Sequence, residues 1–313
     1  MNSNSTSELP YRTLKPWLRE TFGKPVHRVA LDAGSTCPNR DGTLGFGGCF
    51  YCDVDGSGTG ALKTGADLAA QLETGIRRVA RRDPEFGVIA YFQSYSNTYV
   101  DIARLREVLS VVEPRLGDPV VAVSIATRPD TLPDEALRAL EELSQRVPVW
   151  VEIGLEAAND RVLTEINRLH TVAEYEEAVQ RVHQAGLLAI GHAILGLPGD
   201  GREGAQATAD CLRRSAVSGV KVHHLMVLKR TVFEKQWRAG ELEVLEAETY
   251  VQWLADFVER LGPKQVLHRI TGDAPPEDRL APYWKVHKSQ LRDLLAEELS
   301  RRGTYQGALV PQD

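Results

Sequence analysis

Cysteine is scarce in this chain of 313 residues, with four in all, and methionine is scarcer, with two. Four thiols cannot staple a chain of this length, which excludes a secreted scaffold built on disulfides. An excess of basic charge is also missing. There are 37 Lys and Arg against 43 Asp and Glu, a formal net charge of -6. That excludes a broadly cationic nucleic-acid surface, though not a local basic patch. No apolar run is long enough to span a bilayer, so no membrane contact is expected. Residues 1–9 carry neither the basic nor the apolar segment of a secretory leader. No tract is of low complexity, and no linker rich in Pro, Gly or Ser occurs before about Leu261. What remains is an ordinary globular mixture, 42% hydrophobic and 26% charged, able to bury a sizeable core. The expected compartment is the reducing cytoplasm, where clustered cysteines more often bind metal or do redox work than pair.

Three of the four cysteines do cluster. Cys37, Cys49 and Cys52 share the stretch "TCPNRDGTLGFGGCFYCDVDGSG", Thr36 to Gly58. Thiolate clusters select soft metals, zinc or iron–sulfur. A closed zinc site needs four ligands, usually as two pairs, and here there is one pair and one outlier. Cys211 lies far along the chain in the helical pattern "ATADCLRRSAV" and reads as a small buried residue. His27 sits in an apolar strand run, where a core or surface role outweighs ligation. Three cysteines without a fourth suggest a metal centre with one open position. Iron–sulfur and zinc both remain open on spacing. Glycines 42, 45, 47 and 48 let the backbone wrap closely and turn N–H groups inward.

Around this loop, six β-branched runs alternate with helical patterns. The strands are expected at Val26–Gly34, Val88–Tyr95, Val120–Arg128, Val149–Ala157, Leu187–Gly199 and Val220–Lys229. Between them, "DLAAQLETGIRRVARR" puts Leu68, Leu72, Ile76 and Val79 on one face. "PDEALRALEELSQR" opens near Pro133, and "VAEYEEAVQRVHQAG" stops at Gly186. Repeated βα units imply a parallel sheet with helices outside it, either a partial barrel or an open sheet. Near-continuous apolar strands suit burial on both faces. Either fold places function at the C-terminal strand ends, where "QSYSN", "TRPD", "LEAAND", "GLPGDG" and "LKR" fall. After Leu261 comes a proline-interrupted stretch, then a helix ending at Gly303. Residues 262–313 read as an extension packed on a core of residues 11–261.

Taken together, "DAGSTCPNRDGTLGFGGCFYC", "YFQSYSNTY", "SIATRPDTLPDE", "VEIGLEAANDRVLTEINRLH" and "GHAILGLPG" resemble the radical SAM superfamily. More narrowly the chain is similar to the YhcC/YtqA family, related to the Elongator catalytic subunit and to oxygen-independent coproporphyrinogen oxidase. The eleven residues between Cys37 and Cys49 depart from the superfamily's commonest spacing and match the narrower family. The resemblance implies a partial (β/α)6 barrel of the TIM type with a C-terminal helical extension. It implies a [4Fe–4S] cluster on Cys37, Cys49 and Cys52, whose remaining iron takes S-adenosylmethionine. One electron, from a flavodoxin- or ferredoxin-like donor, then yields a 5′-deoxyadenosyl radical. By the same resemblance Ser94, Tyr95 and Ser96 lie near the cofactor's amino group, although the glycines usual there are absent. Glu156 takes the ribose, Arg168 the methionine carboxylate, and His192 stands where some relatives bind ribose. Backbone at 223–225 reads the adenine. The plainer readings are that Glu156 or Asp160 caps a helix near Asn159, that Arg168 answers a helix dipole, and that Arg128 braces a turn.

For substrate, the resemblance implies tRNA, with the carboxymethyl group removed from carboxymethylaminomethyl uridine at the wobble position. Lys221, Lys229 and Arg230 are candidates for a substrate carboxylate or phosphate. The strip "IRRVARR", residues 76–82, is a candidate for RNA backbone, although a solvated helix face explains it as well. The alternatives are an iron–sulfur partner or regulator in amino-acid metabolism, linked to glutamate synthase, and a zinc-binding α/β module.

Overall fold

The computed structural model describes residues 9–53 and 65–311. The leader reading of residues 1–8, the end of the glycine-rich loop at 54–58 and the last two residues of the tail lie outside the described residues. The chain enters on α1 (Leu14–Phe22) and then alternates through β1 (Val26–Leu31), α2 (Leu68–Ala80), β2 (Gly87–Phe92), α3 (Ile102–Ser110), β3 (Val120–Thr127) and α4 (Asp134–Ser144). It continues with β4 (Val149–Glu156), α5 (Asp160–Glu165), α6 (Val172–Gln184), β5 (Leu188–Leu195), α7 (Gly201–Arg214) and β6 (Gly219–His224). The remainder is β7 (Val227–Leu228), α8 (Val232–Arg238), α9 (Ala247–Arg260), β8 (Val266–Arg269), β9 (Arg279–Ala281) and α10 (Lys288–Arg302).

The six expected strands form. They pair in parallel, in the order β1-β2-β3-β4-β5-β6, and β8 adds a seventh beside β6. This is a curled half-barrel with helices on its outer face, the α/β architecture expected. The seventh strand comes from the segment after Leu261, so that segment builds part of the sheet as well as packing on it. Local chemistry sets the helix ends. Asp67 and Asp101 cap α2 and α3 through Ala70 N–H at 2.7 Å and Arg104 N–H at 2.8 Å. Gly186 and Gly303 terminate α6 and α10 in the left-handed region, at φ 67° and 65°.

Alternation along the strands divides the molecule into two compartments. Val88, Ala90 and Phe92 of β2, Val123 and Ile125 of β3, and Val151 and Ile153 of β4 face the outer helices in the main core. Residues of the opposite parity face the lumen. At its lower end Ile89, Ala122, Trp150 and Ile190 pack beneath Leu18 of α1. Trp17 of α1 meets Trp150 with ring centroids 5.9 Å apart. α1 is therefore a plug, and it closes the N-terminal mouth of the half-barrel with apolar surface. The next layer up the lumen is polar. Tyr91, Ser124, Glu152, His192 and Lys221 occupy the same inward parity, and it is this layer that the site uses.

The C-terminal part locks onto the barrel. α9 lies against α7 and α10. Arg302 of α10 reaches Asp256 at 2.7 Å, Glu259 at 3.3 Å and Glu298 at 2.7 Å, a network rather than a lone surface pair. β7 and β9 form a short antiparallel ribbon. Among the described residues no helix is long and apolar enough to cross a membrane.

Candidate active site

The loop after β1 is held by its own backbone and by one asparagine. Arg40 and Asp41 N–H donate to Cys37 carbonyl oxygen at 2.8 and 3.2 Å, and Gly48 N–H donates to Asn39 carbonyl oxygen at 2.8 Å. Asn39 Nδ2 donates across to the carbonyls of Asn167 at 2.6 Å and Arg168 at 3.2 Å, which fastens the loop to the end of α5. At Gly48, with φ 79°, a Cβ would stand 2.8 Å from the Arg40 guanidinium, so only glycine fits. The result brings Cys37, Cys49 and Cys52 to the wall of one cavity of about 290 Å³ at the C-terminal strand ends. All three are free thiols. Cys49 Sγ accepts from Asn39 Nδ2 at 3.7 Å and Arg168 Nη1 at 3.8 Å. Burial pushes the Cys52 thiol up to about 12, and the Arg40 guanidinium beside it pulls the other way.

Opposite the loop, β4 ends in a bulge. Glu156 takes φ 71°, a conformation uncommon for any residue but glycine. It faces Arg168 across 3.5 Å, and both are more than nine-tenths buried. Arg168 also donates to Gly154 carbonyl oxygen at 3.0 Å and, through Nε, to His170 Nε2 at 3.0 Å. Burial and the Arg168 charge push His170 down to about 2, so the ring is neutral and can accept. A Cβ at Gly154 would stand 2.4 Å from Glu156 Oε1 and 2.5 Å from Arg168 Nη2. Neither charged residue is a helix cap: Asn159 caps α5, through Arg161 N–H at 3.1 Å and Val162 N–H at 3.4 Å. Arg128 does brace its turn, through a bidentate pair with Asp130 at 2.8 and 2.6 Å. Its Nη1 is buried without a partner.

The turn after β2 separates the three residues expected at the cofactor. Asn97 Nδ2 donates to the carbonyls of Phe92, Ser94 and Ala126 at 3.1, 3.1 and 3.0 Å and pulls the turn shut. Tyr95, at φ 57°, is turned onto the cavity wall, with Arg40 Cζ 5.7 Å from its ring centroid. Ser94 and Ser96 are fully buried and do not line the cavity. Ser96 Oγ is taken up by the hydroxyls of Thr127, at 3.0 Å, and Thr131.

The polar layer of the lumen forms the cavity floor. Glu152 of β4 accepts from Ser124 Oγ at 2.7 Å, from His192 Nε2 at 3.0 Å and from Lys221 Nζ. Burial opposes its charge, but Lys221 and the His192 bond outweigh that and hold Glu152 well below the usual carboxylate range. Burial draws the Lys221 ammonium down to about 7, with Glu152 opposing and Arg28 and Arg269 reinforcing. Lys221 Nζ also lies 4.2 Å from the Tyr91 ring centroid. His192, expected near a ribose, thus already spends one nitrogen on Glu152. Sequence reasoning placed Lys221 at a strand end with Lys229 and Arg230. It is instead inside β6 and on the cavity, whereas Lys229 and Arg230 are exposed and do not line it. Glu152 was missed altogether. Its signal was a carboxylate of inward parity in an otherwise apolar strand, and Lys221 carries the same signal.

The surroundings of the thiols distinguish the two metals. Cys211 is buried in α7, where its thiol donates to Glu176 Oε1 at 3.6 Å, and His27 pairs with Asp83 at 3.3 Å. Neither lines the cavity. Among the described residues no three His, Cys, Asp or Glu side chains converge on a point where a single ion would sit. In a cubane each thiolate binds a different iron, so spread thiols suit it better than they suit zinc. A cationic cluster would also ionise the Cys52 thiol, which burial otherwise keeps protonated. The three thiols, with the two N–H donors on Cys49, therefore fit a cluster ligated through three cysteines.

Fold and site together define a half-barrel enzyme with a three-thiol centre at the active end of its strands. The model of the radical SAM superfamily matches residues 36–212, and that of the Radical_SAM C-terminal domain matches residues 217–301. YtqA of Bacillus subtilis is 41% identical over 303 residues, which cover 97% of this chain and 94% of that protein. YhcC of Escherichia coli is 35% identical, covering 85% of each. Among solved structures, the archaeal Elp3 of Methanocaldococcus infernus, lacking its N-terminus, superposes with a TM-score of 0.70 at 17% identity. That match covers 90% of this chain and 64% of the other, and it speaks to the fold. The chain belongs to the radical SAM superfamily, and within it to the family of YtqA and YhcC. Its cofactors are accordingly a [4Fe–4S] cluster and S-adenosylmethionine, not zinc.

Proposed function

We propose that this radical SAM enzyme acts on tRNA, removing the carboxymethyl group from carboxymethylaminomethyl uridine at the wobble position and leaving the aminomethyl form. One observation carries the reading: a single cavity joins the three-thiol loop to a floor and far wall lined by cations, His192 and His223. Such a cavity suits a small anionic group presented to a reactive centre. More distant relatives bear the name tRNA uridine(34) acetyltransferase, among them one from Dehalococcoides mccartyi, 25% identical over half of this chain. That supports a uridine in tRNA as the target.

In this reading Cys37, Cys49 and Cys52 ligate the cluster, and the bound cofactors supply a primary carbon radical on reduction by a flavodoxin- or ferredoxin-like donor. The protein's part is placement. Arg168, beside Cys49, offers its guanidinium to the methionine carboxylate. Glu156 accepts from ribose hydroxyls, and its bulge conformation aims it there. Tyr95 closes the cofactor side and the backbone at 223–225 meets the adenine, while His192 positions Glu152. Ser96 braces the turn through Thr127 and Thr131, and Ser94 through its carbonyl to Asn97.

The test is made in a strain from which this gene is deleted and which lacks any redundant enzyme. Bulk tRNA is digested and its nucleosides are measured by mass spectrometry. Carboxymethylaminomethyl uridine should accumulate at the expense of aminomethyl products. An unchanged nucleoside profile defeats the reading.

A further inference from the structure

Five cations among the described residues line the cavity, and four of them have a protein partner, Arg128 through two of its three nitrogens. Arg168 faces Glu156 at 3.5 Å, Lys221 holds Glu152, and Arg128 is paired with Asp130 at 2.6 Å. Arg40 donates to Cys52 carbonyl oxygen at 3.1 Å and to that of Asp53. The fifth is Arg269, at the C-terminal end of β8. It is half-buried on the cavity wall and makes no hydrogen bond or ion pair with any described residue. A half-buried guanidinium with no protein acceptor is served by water, and an anion that takes the water's place gains charge-assisted hydrogen bonds.

The surroundings say which ligand. Arg269 stands in register with Lys221 on the neighbouring strand. Lys221 is neutralised by Glu152, so among the described residues Arg269 brings this corner of the cavity a positive charge with no paired anion, and Arg28, whose Nη2 is buried without a partner, adds to it. His223, on the same cavity wall, is held well below its ordinary value by burial and then by Arg269, and so is neutral. Its Nε2 is buried without a partner. A planar two-pronged donor beside a free imidazole nitrogen matches a monoanion with two oxygens. The cofactor's own carboxylate has a nearer claimant in Arg168, which touches Cys49 Sγ at 3.8 Å. Arg269 instead lies on the last strand of the sheet, and the cysteine loop follows the first. A backbone phosphodiester is flanked by bulk on both sides, whereas a terminal carboxylate can enter a lumen.

We propose that Arg269, with His223, is the subsite that binds a terminal carboxylate of the substrate. This rests on the proposed reaction, where the group lost carries such a carboxylate, and makes Arg269 its anchor. Lys221 and Glu152 act as positioning residues that fix the charge of this corner.

The test uses the full-length reconstituted protein and measures binding of two nucleosides, 5-carboxymethylaminomethyl uridine and 5-aminomethyl uridine, with inorganic phosphate as competitor. The wild type should favour the carboxylated nucleoside at least tenfold. Arg269→Gln should abolish that preference, and Arg269→Lys should keep part of it because the charge remains. Thermal melting of both variants checks that they are folded, which is expected because Arg269 has no intramolecular bond to lose. Equal affinity of the wild type for both nucleosides, or an intact preference in Arg269→Gln, overturns the subsite. Arg269-dependent competition by phosphate without a carboxylate preference overturns it too. Turnover of tRNA is scored separately by product. A wild type that leaves tRNA unaltered while showing the Arg269-dependent preference defeats the reaction and leaves the subsite standing. Turnover by Arg269→Gln at the wild-type KM does the reverse.

Discussion

Glu152 is 1% exposed and Lys221 is 2% exposed, so each depends on the other for its charge. Removing one partner of a buried pair leaves the second desolvated and unpaired, which costs about 3–5 kcal/mol. Arg28 and Arg269 add to the strain, since both act against the Lys221 ammonium. Glu152→Gln should therefore lower stability by about 3 kcal/mol in urea unfolding, and adding Lys221→Met should return much of it. A Glu152→Gln protein within 1 kcal/mol of wild type, on the order of a surface substitution, would show that the pair does not neutralise the floor. At this scale the sequence was half legible. The cysteine loop stood out because three scarce residues share it, and Glu156 and Arg168 meet on the cavity wall. The serines of the turn after β2 did not. Their orientation is set by Asn97 bridging three carbonyls, a tertiary arrangement that no local pattern announces. Glu152 was hidden because β4 reads as a continuous apolar run until its parity is counted.

Elements were easier to read than side chains, because strands and helices declare themselves by period. All six expected strands form, and Gly186 and Gly303 stop their helices as the pattern predicts. Several elements escaped, α8, α9 and β9 among them, and two others show why. α1 is nine residues long and contains Pro16, too short for a strong helical period, and its role as a plug depends on Trp150, far along the chain. β8 is four residues in a proline-interrupted stretch, and only its pairing with β6 on one side and with Arg12–Thr13 on the other makes it a strand. The contact between α2 and β1 gives a direct check on the packing. Gly75 is buried in mid-helix, where alanine would ordinarily gain about 1 kcal/mol in helix propensity. Here the added Cβ would stand 2.2 Å from Val29 Cγ1, directly beneath the strand that feeds the cysteine loop. Overpacking of that kind costs about 1–3 kcal/mol, so the clash wins or at best cancels the gain. Gly75→Ala should lower the urea midpoint and weaken cluster retention. A rise in the midpoint would show that α2 does not pack on β1 as described.

For the molecule as a whole, the half-barrel keeps its C-terminal mouth lined with ionisable groups that burial holds neutral. His224 is one of them, 4% exposed. Its Nδ1 accepts from Gly272 N–H at 3.3 Å, and its ring lies 4.3 Å from that of Trp284. Burial, then Arg279, pushes it down to about 3. The unfolded chain takes up this proton near pH 6.5 and the folded chain does not. His224 thus contributes stability that is fully present above about pH 6.5 and is lost as the pH falls toward 3. Between pH 7 and pH 5 it should account for about 1–2 kcal/mol of the loss seen in urea unfolding. His224→Gln keeps an acceptor for Gly272 and should unfold with a shallower pH dependence. An identical slope in wild type and variant would contradict the assignment.

The central claim is that this half-barrel holds its cofactors through the three cysteines of one loop, and anaerobic reconstitution tests it most directly. Wild type should bind about four irons and four sulfides per chain and, once reduced, cleave S-adenosylmethionine to 5′-deoxyadenosine and methionine. Cys37→Ala, Cys49→Ala and Cys52→Ala should each lose both properties, while Cys211→Ala, buried in α7 away from the cavity, keeps them. Retention of cluster and cleavage by any of the three loop variants, or loss of both in Cys211→Ala, would contradict the account.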